Sequence, residues 1–401
     1  MASKVLHTRT GDVGVEDTLQ HRPVRIRIPL LAAATAFLIH LVCNPHYGFH
    51  GDELYFIICG QHPQWNYVDQ PPVAPLFAAA SQMFGPSLVL LRAVPALFAG
   101  AGIYVTCLIV LELDGAAYAQ VLSAIVVFFL PVLTDFGQKL HTDMVGLWSW
   151  PLLTLWIVRL TKGANSRLWI AIGVVMGVSV LSKYSVLFFM TALLMGLLLT
   201  PQRRILYSRW FVVGALICGI IALPSFLWQV HNGYPMLELL RAVQHGKNVI
   251  VGPMAYLGQQ LLISGLLAPF WIIGLIWLFF RPAVRFLACG YVLLIATMIV
   301  LHGKHYYPAD AYPYLIAAGC VQVEDWTSNF RRARTAIAAA TVLLGLVFFP
   351  LVMPVLREAW VATYHSELLS FLHISRQNIE TDIGLLQICQ ATSRACMAGQ
   401  N

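Results

Sequence analysis

The 401-residue chain is 59% hydrophobic and only 11% charged, with a mean hydropathy of +0.73. A soluble domain carries about 25% charged residues, which excludes that class. The apolar runs do not alternate with polar positions, which excludes a transmembrane barrel, and the net charge of +7 follows loop asymmetry rather than a nucleic-acid patch.

Runs of about 20 apolar residues recur through the chain, as membrane-spanning helices require. In order they predict about eleven spans, at 28–44, 86–110, 117–133, 143–160, 167–182, 184–200, 210–229, 256–280, 286–301, 308–323 and 335–355. Region 167–200 reads either as two spans or as one long helix with a re-entrant piece, because Lys183 interrupts it. Residues 71–84 are too short to cross and open with Pro71, Pro72 and Pro75, so they read as a helix lying in the interface. Residues 235–247 read as a second one, with Met236, Leu239, Leu240 and Val243 on one face. Residues 1–27 are expected to be a disordered cytoplasmic lead without a cleavage site, residues 28–355 the membrane domain with a chemistry-bearing outer loop at 45–85, and residues 356–401 a short periplasmic tail.

Placing the N-terminus inside puts 16 of the 25 Lys and Arg on the inner side, as the positive-inside rule asks. The eight cysteines show no CxxC and no Cys/His metal spacing. Cys389 and Cys396 could pair if the tail faces an oxidising space. No nucleotide-binding loop is present, so nucleotide energy is not indicated.

Polar residues gather on the expected outer face. The first loop holds His50, Asp52, Glu53, Tyr55, Asp69 and Gln70; the next holds Asp135, Lys139, His141 and Asp143; then come Lys183 and Tyr184, and finally His302, Lys304, His305, Tyr306 and Tyr307. A carboxylate beside hydrocarbon is costly unless paired, hydrated or used. The pattern suits group transfer from a lipid-linked donor: Lys183, Lys304 and Arg92 as cations for its phosphate, and Asp52 as the base for an acceptor hydroxyl. Glu53 or Asp143 could orient the acceptor or bind a divalent metal. His302 and His305, three residues apart, are weak metal candidates. The rival reading is a secondary transporter or flippase of lipid-linked sugars, which would place acids near mid-membrane and broken helices in paired halves.

The ordered set Asp52-Glu53-Leu54-Tyr55, Asp69-Gln70-Pro71-Pro72, Arg92, Thr142-Asp143, Leu181-Ser182-Lys183-Tyr184, Gly303-Lys304-His305-Tyr306-Tyr307-Pro308 and Tyr312-Pro313 resembles the dolichyl-phosphate-mannose protein mannosyltransferases, glycosyltransferase family 39. That family includes the bacterial lipid A aminoarabinose transferases. The resemblance implies an all-α polytopic membrane protein of the C-type glycosyltransferase (GT-C) fold. It implies an inverting transferase that takes a sugar from a polyprenyl-phosphate donor and gives it to a lipid, glycan or protein acceptor. The site would lie on the periplasmic face of the inner membrane, with the N-terminus cytoplasmic. By the same matching, Asp52 is the catalytic acid and Glu53 the motif's second acid, Asp143 a supporting acid and Lys183 a donor-phosphate contact. Tyr55, Asp69, Arg92, Tyr184, Lys304 and Tyr307 complete the expected substrate-binding set. No cofactor is called for beyond the possible metal.

Overall fold

The computed structural model describes residues 22–246 and 252–357, with Trp360, Val361, Thr363, Tyr364 and Glu367 beyond them. Most of the expected lead, nearly all of the 356–401 tail, and Cys389 and Cys396 lie outside the described residues. Within them the protein is helical and has no strands. The order is α1 (Arg22–Cys43), α2 (Gly51–Gln61), α3 (Val73–Gln82), α4 (Leu88–Glu112), α5 (Ala117–Phe129), α6 (Pro131–Gln138), α7 (Gly146–Thr161), α8 (Leu168–Val180) and α9 (Ser185–Leu198). There follow α10 (Arg209–His231), α11 (Pro235–Gly246), α12 (Pro253–Ser264), α13 (Ala268–Phe279), α14 (Arg285–Val300), α15 (Tyr312–Trp326) and α16 (Arg331–Val352).

Each expected span is helical, those at 117–133 and 256–280 as two helices each. Among the described residues, five stretches are long and apolar enough to cross a membrane: Ile26–Cys43, Leu88–Glu112, Arg209–His231, Pro253–Phe279 and Arg331–Val352. Two bent helix pairs bring the number to seven. Three details differ from expectation. The chain is already helical at Arg22, inside the expected lead. The span expected at 117–133 breaks before Pro131, where α5 and α6 meet at 68°. Proline has no N–H to continue the ladder and drives the residue before it out of the α region, and Leu130 is accordingly extended (φ −68°, ψ 116°). Region 167–200 resolves into α8 and α9, with Lys183 in the turn between them. Both expected interface helices form, as α3 and α11.

Lipid tails are as apolar as leucine, so helices in a bilayer gain by close backbone approach at small residues. Glycines supply it here. A Cβ on Gly173 of α8 would overlap the carbonyl of Gly214 on α10. One on Gly274 of α13 would overlap that of Leu315, and one on Gly319 of α15 that of Phe270. Since the obstacle at each is backbone, Gly319→Ala is expected to cost about 1–3 kcal/mol of stability, read as a lowered Tm of the detergent-solubilised protein. At the centre, Trp150 of α7 stacks on Phe189 of α9 with ring centroids 4.3 Å apart, and Tyr314 of α15 closes the group. Beside this core, the start of α2, the connections preceding α7, α9 and α15, and Arg92 of α4 bring together many of the polar residues singled out above.

Candidate active site

The two adjacent acids of the first loop have opposite fates. His50 caps α2: its Nδ1 accepts the Asp52 N–H (3.2 Å), while its own N–H donates to Glu53 Oε2 (2.8 Å). That reciprocal cap turns Glu53 inward and leaves Asp52 outside. Glu53 is 0% exposed; the Asp52 side chain is 63% exposed.

Glu53 meets Arg92 of α4. Arg92 donates from Nε (2.9 Å) and Nη2 (2.7 Å) to the two carboxylate oxygens. It also donates to the carbonyls of Asn44, His46 (3.0 Å) and Gly48 (2.6 Å). The Leu140 N–H adds a further bond to Glu53 (3.1 Å). Burial works to raise the Glu53 carboxyl, and the Arg92 guanidinium with two backbone N–H groups outweighs it, holding the group below the usual glutamate range. In this geometry the polar atoms of Glu53 and Arg92, expected as a catalytic acid and a substrate contact, are all engaged by these partners. Together they clamp residues 44–50, α2, α4 and the 139–145 connection into one frame.

A second pair forms across the 139–145 connection and the α8–α9 turn. Lys183 Nζ bonds Asp143 Oδ1, and the Asp143 N–H donates to His141 Nδ1 (3.0 Å). Asp143 is 7% exposed. Burial would raise its carboxyl; Lys183, then His141, hold it below the ordinary range. The turn itself is pinned, since Ser182 Oγ donates to the Thr142 carbonyl (2.9 Å) and the Val73 N–H of α3 donates to the Leu181 carbonyl (3.0 Å).

Tyr306 links these groups. Lys183 Nζ lies 5.1 Å from its ring centroid and 4.5 Å from that of Tyr307, and Lys304 Nζ lies 5.7 Å from the Tyr306 ring. These are cation–π distances. Burial first, then Asp143, Tyr307, Asp52 and Asp135, push the Tyr306 hydroxyl well above its ordinary value, so it stays a neutral phenol. Asp143, Lys183, Lys304, Tyr306 and Tyr307 therefore meet through direct contacts, and Asp52 reaches them through its charge at the Tyr306 hydroxyl. Tyr55 and Asp69 join on the exposed side through a 2.7 Å hydrogen bond from the phenol to Oδ1, and Tyr55 lies three residues from Asp52 on the same face of α2.

The Tyr184 hydroxyl, expected as a substrate contact, is engaged by a second polar network. Asn66, 0% exposed, donates to the Tyr184 hydroxyl (2.6 Å) and to Ser225 Oγ (2.8 Å), and Tyr184 and Ser225 hydroxyls are 3.1 Å apart. With Gln229 donating to the Tyr67 carbonyl (3.1 Å) and Trp228 to Gln64 Oε1 (2.8 Å), this latches the first loop onto α10. Asn66 carried no sequence signal beyond being polar. The two histidines also separate: His302 is exposed, in a left-handed conformation (φ 52°), whereas His305 is buried. Among the described residues no group of three His, Cys, Asp or Glu is gathered to hold a metal ion. The buried Asp310, given no role from sequence, lies beside the Asp143–Lys183 pair.

Residues 69–228 match the model of the dolichyl-phosphate-mannose-protein mannosyltransferase family. That stretch takes in Asp69, Arg92, Asp143, Lys183 and Tyr184 and begins after Asp52. No curated protein matches the chain. Among solved structures the chain is similar to ArnT from Cupriavidus metallidurans, crystallised bound to undecaprenyl phosphate, at 14% identity and a TM-score of 0.58. The similarity covers 91% of this chain and 75% of that one. The chain thus has the C-type glycosyltransferase fold and, over residues 69–228, carries the sequence pattern of the dolichyl-phosphate-mannose-protein mannosyltransferase family.

Proposed function

We propose that this protein is a membrane glycosyltransferase that moves a sugar from a polyprenyl-phosphate donor to an acceptor hydroxyl, with inversion, at the outer face of the bilayer. The observation that carries this is the division of labour at the first loop. Glu53 is locked in the frame, while Asp52, its neighbour on the same turn, keeps an exposed carboxylate whose charge is felt at Tyr306, the ring on which Lys183 and Lys304 lie.

In the proposed reaction the acceptor O–H gives its proton to the Asp52 carboxylate as its oxygen attacks the anomeric carbon. The bond from that carbon to the phosphate oxygen breaks on the opposite face, and the lipid phosphate leaves with the electron pair. The leaving phosphate gains negative charge. Lys183 and Lys304 are the cations that meet it, and Asp143 and the rings of Tyr306 and Tyr307 aim the Lys183 ammonium. Tyr55 and Asp69 border the acceptor side. Undecaprenyl phosphate is the lipid phosphate we favour, and the acceptor is a lipid, glycan or protein hydroxyl.

The test is transfer of radiolabelled sugar from a panel of polyprenyl-phosphate sugars in membranes, comparing wild type with Asp52→Asn at matched expression. Label reaching an acceptor with wild type alone supports the reading. Equal transfer by both removes Asp52 from the chemistry. Movement of intact lipid-linked sugar across the bilayer without transfer establishes the flippase instead. Lys183→Gln is expected to raise the donor KM about tenfold or more, as loss of a charge-assisted contact would, with the acceptor KM nearly unchanged in initial-rate assays.

A further inference from the structure

Behind the Lys183–Asp143 pair lies a small, partly open pocket of about 10 Å3, lined by Asp143, Gly146, Ser149, Ser182, Lys183 and Asp310 among others. Asp310 stands in the short 3-10 turn Ala309–Ala311 ahead of α15 and is 2% exposed. Its Oδ1 has no hydrogen-bond partner among the described residues, nor has the hydroxyl of Ser149, which is 0% exposed. Two orphaned buried polar atoms on one cavity are unusual, because each costs about 1–3 kcal/mol unless satisfied. The place is also kept open by sequence. Asp310 Oδ2 lies against the Cα of Gly146, where any Cβ would overlap it, so the start of α7 admits this carboxyl only because residue 146 is glycine.

The volume suits one water molecule, which needs about 10–15 Å3 and two to four polar partners. Asp310, Ser149 and the Asp143–Lys183 pair supply them. We propose that Asp310 is a positioning residue: with Ser149 it holds one ordered water that braces the Lys183–Asp143 pair and so sets where the Lys183 ammonium stands. The inference rests on the reading of Lys183 as the contact for the donor phosphate. Asp310 itself touches no substrate; it acts through Lys183.

The experiment measures binding of undecaprenyl phosphate to the purified full-length protein in detergent micelles. Wild type is compared with Asp310→Ala, Asp310→Asn, Ser149→Ala and Lys183→Gln, with Tm recorded for each. Asp310→Ala is expected to weaken binding about tenfold, the worth of one buried hydrogen bond. Asp310→Asn, whose amide still bonds a water, is expected to stay within about twofold, and Ser149→Ala to lose about threefold. Asn has the shape of Asp and would restore packing too, so the discriminating readout is weakened binding by Asp310→Ala and by Ser149→Ala at a Tm equal to wild type. Wild-type binding by Asp310→Ala overturns the inference alone, as does a loss in Asp310→Asn equal to that in Asp310→Ala. Should Asp310→Ala fail to fold, unchanged binding by Ser149→Ala overturns it. Binding that Lys183→Gln leaves intact overturns the phosphate reading of Lys183, and this inference with it.

Discussion

Asp52→Asn is expected to lower kcat for sugar transfer by about 10³-fold, within the range that general-base catalysis supplies, while the donor KM changes little. The amide keeps the shape of the carboxylate and cannot take the acceptor's proton. Position makes the comparison clean. The Asp52 side chain is largely solvent-exposed at the first turn of α2 and, among the described residues, makes no ion pair closer than the 3.8 Å approach to His50. Its contribution to folding is therefore at most the modest gain of an acid near a helix N-terminus, about 0.3–1 kcal/mol. Matched Tm values with a lost kcat would separate chemistry from stability, and a retained kcat would sink the role assigned to Asp52.

Arg92→Leu is expected to have the largest effect on stability, about 3–5 kcal/mol, because it strands the Glu53 charge in a fully buried site. The pH dependence follows from the direction of the Glu53 shift. In wild type the folded carboxyl sits below its unfolded value, so its contribution is fully present above about pH 4.3, the unperturbed glutamate value, and is lost as pH falls through the folded value. Without Arg92, burial dominates and raises the group, so the sign reverses. The variant should lose stability as pH rises through the raised value and recover it on acidification. Arg92→Leu combined with Glu53→Met should regain much of the loss, since removing both partners leaves no stranded charge. Thermal unfolding in micelles across pH, run as a double-mutant cycle, reads the coupling. Additive losses would mean that the two side chains do not act as a clamp.

The neighbouring carboxylates Asp52 and Glu53 show where sequence reading stops. Both are acids on one loop, and nothing in their order says which faces inward. The cap at His50 and the guanidinium 39 residues away decide it. Tyr184 teaches the same lesson. Next to Lys183 in sequence, it is one step around the turn in space, where Asn66, 118 residues away, takes up its hydroxyl. Asp310 follows Tyr306-Tyr307-Pro308 in sequence, and packing of the turn before α15 against Gly146 helps to bury it. The bend at Pro131 was open to a reader of proline chemistry, and hydropathy alone passed over it.

The amino-acid sequence by itself determined the membrane class, the helical segments, the interface helices and the ordered polar motifs. Hydropathy and proline act over a few residues, so a linear reading recovers them. Tertiary structure alone decided which polar groups meet. The pairs that build the site, Glu53 with Arg92 and Asp143 with Lys183, are 39 and 40 residues apart. In a bilayer, helix contacts are set by glycine-scale surface detail and not by a hydrophobic pattern. Residue type made each acid and lysine a candidate; burial and partner made Glu53 and Arg92 a frame and left Asp52 free.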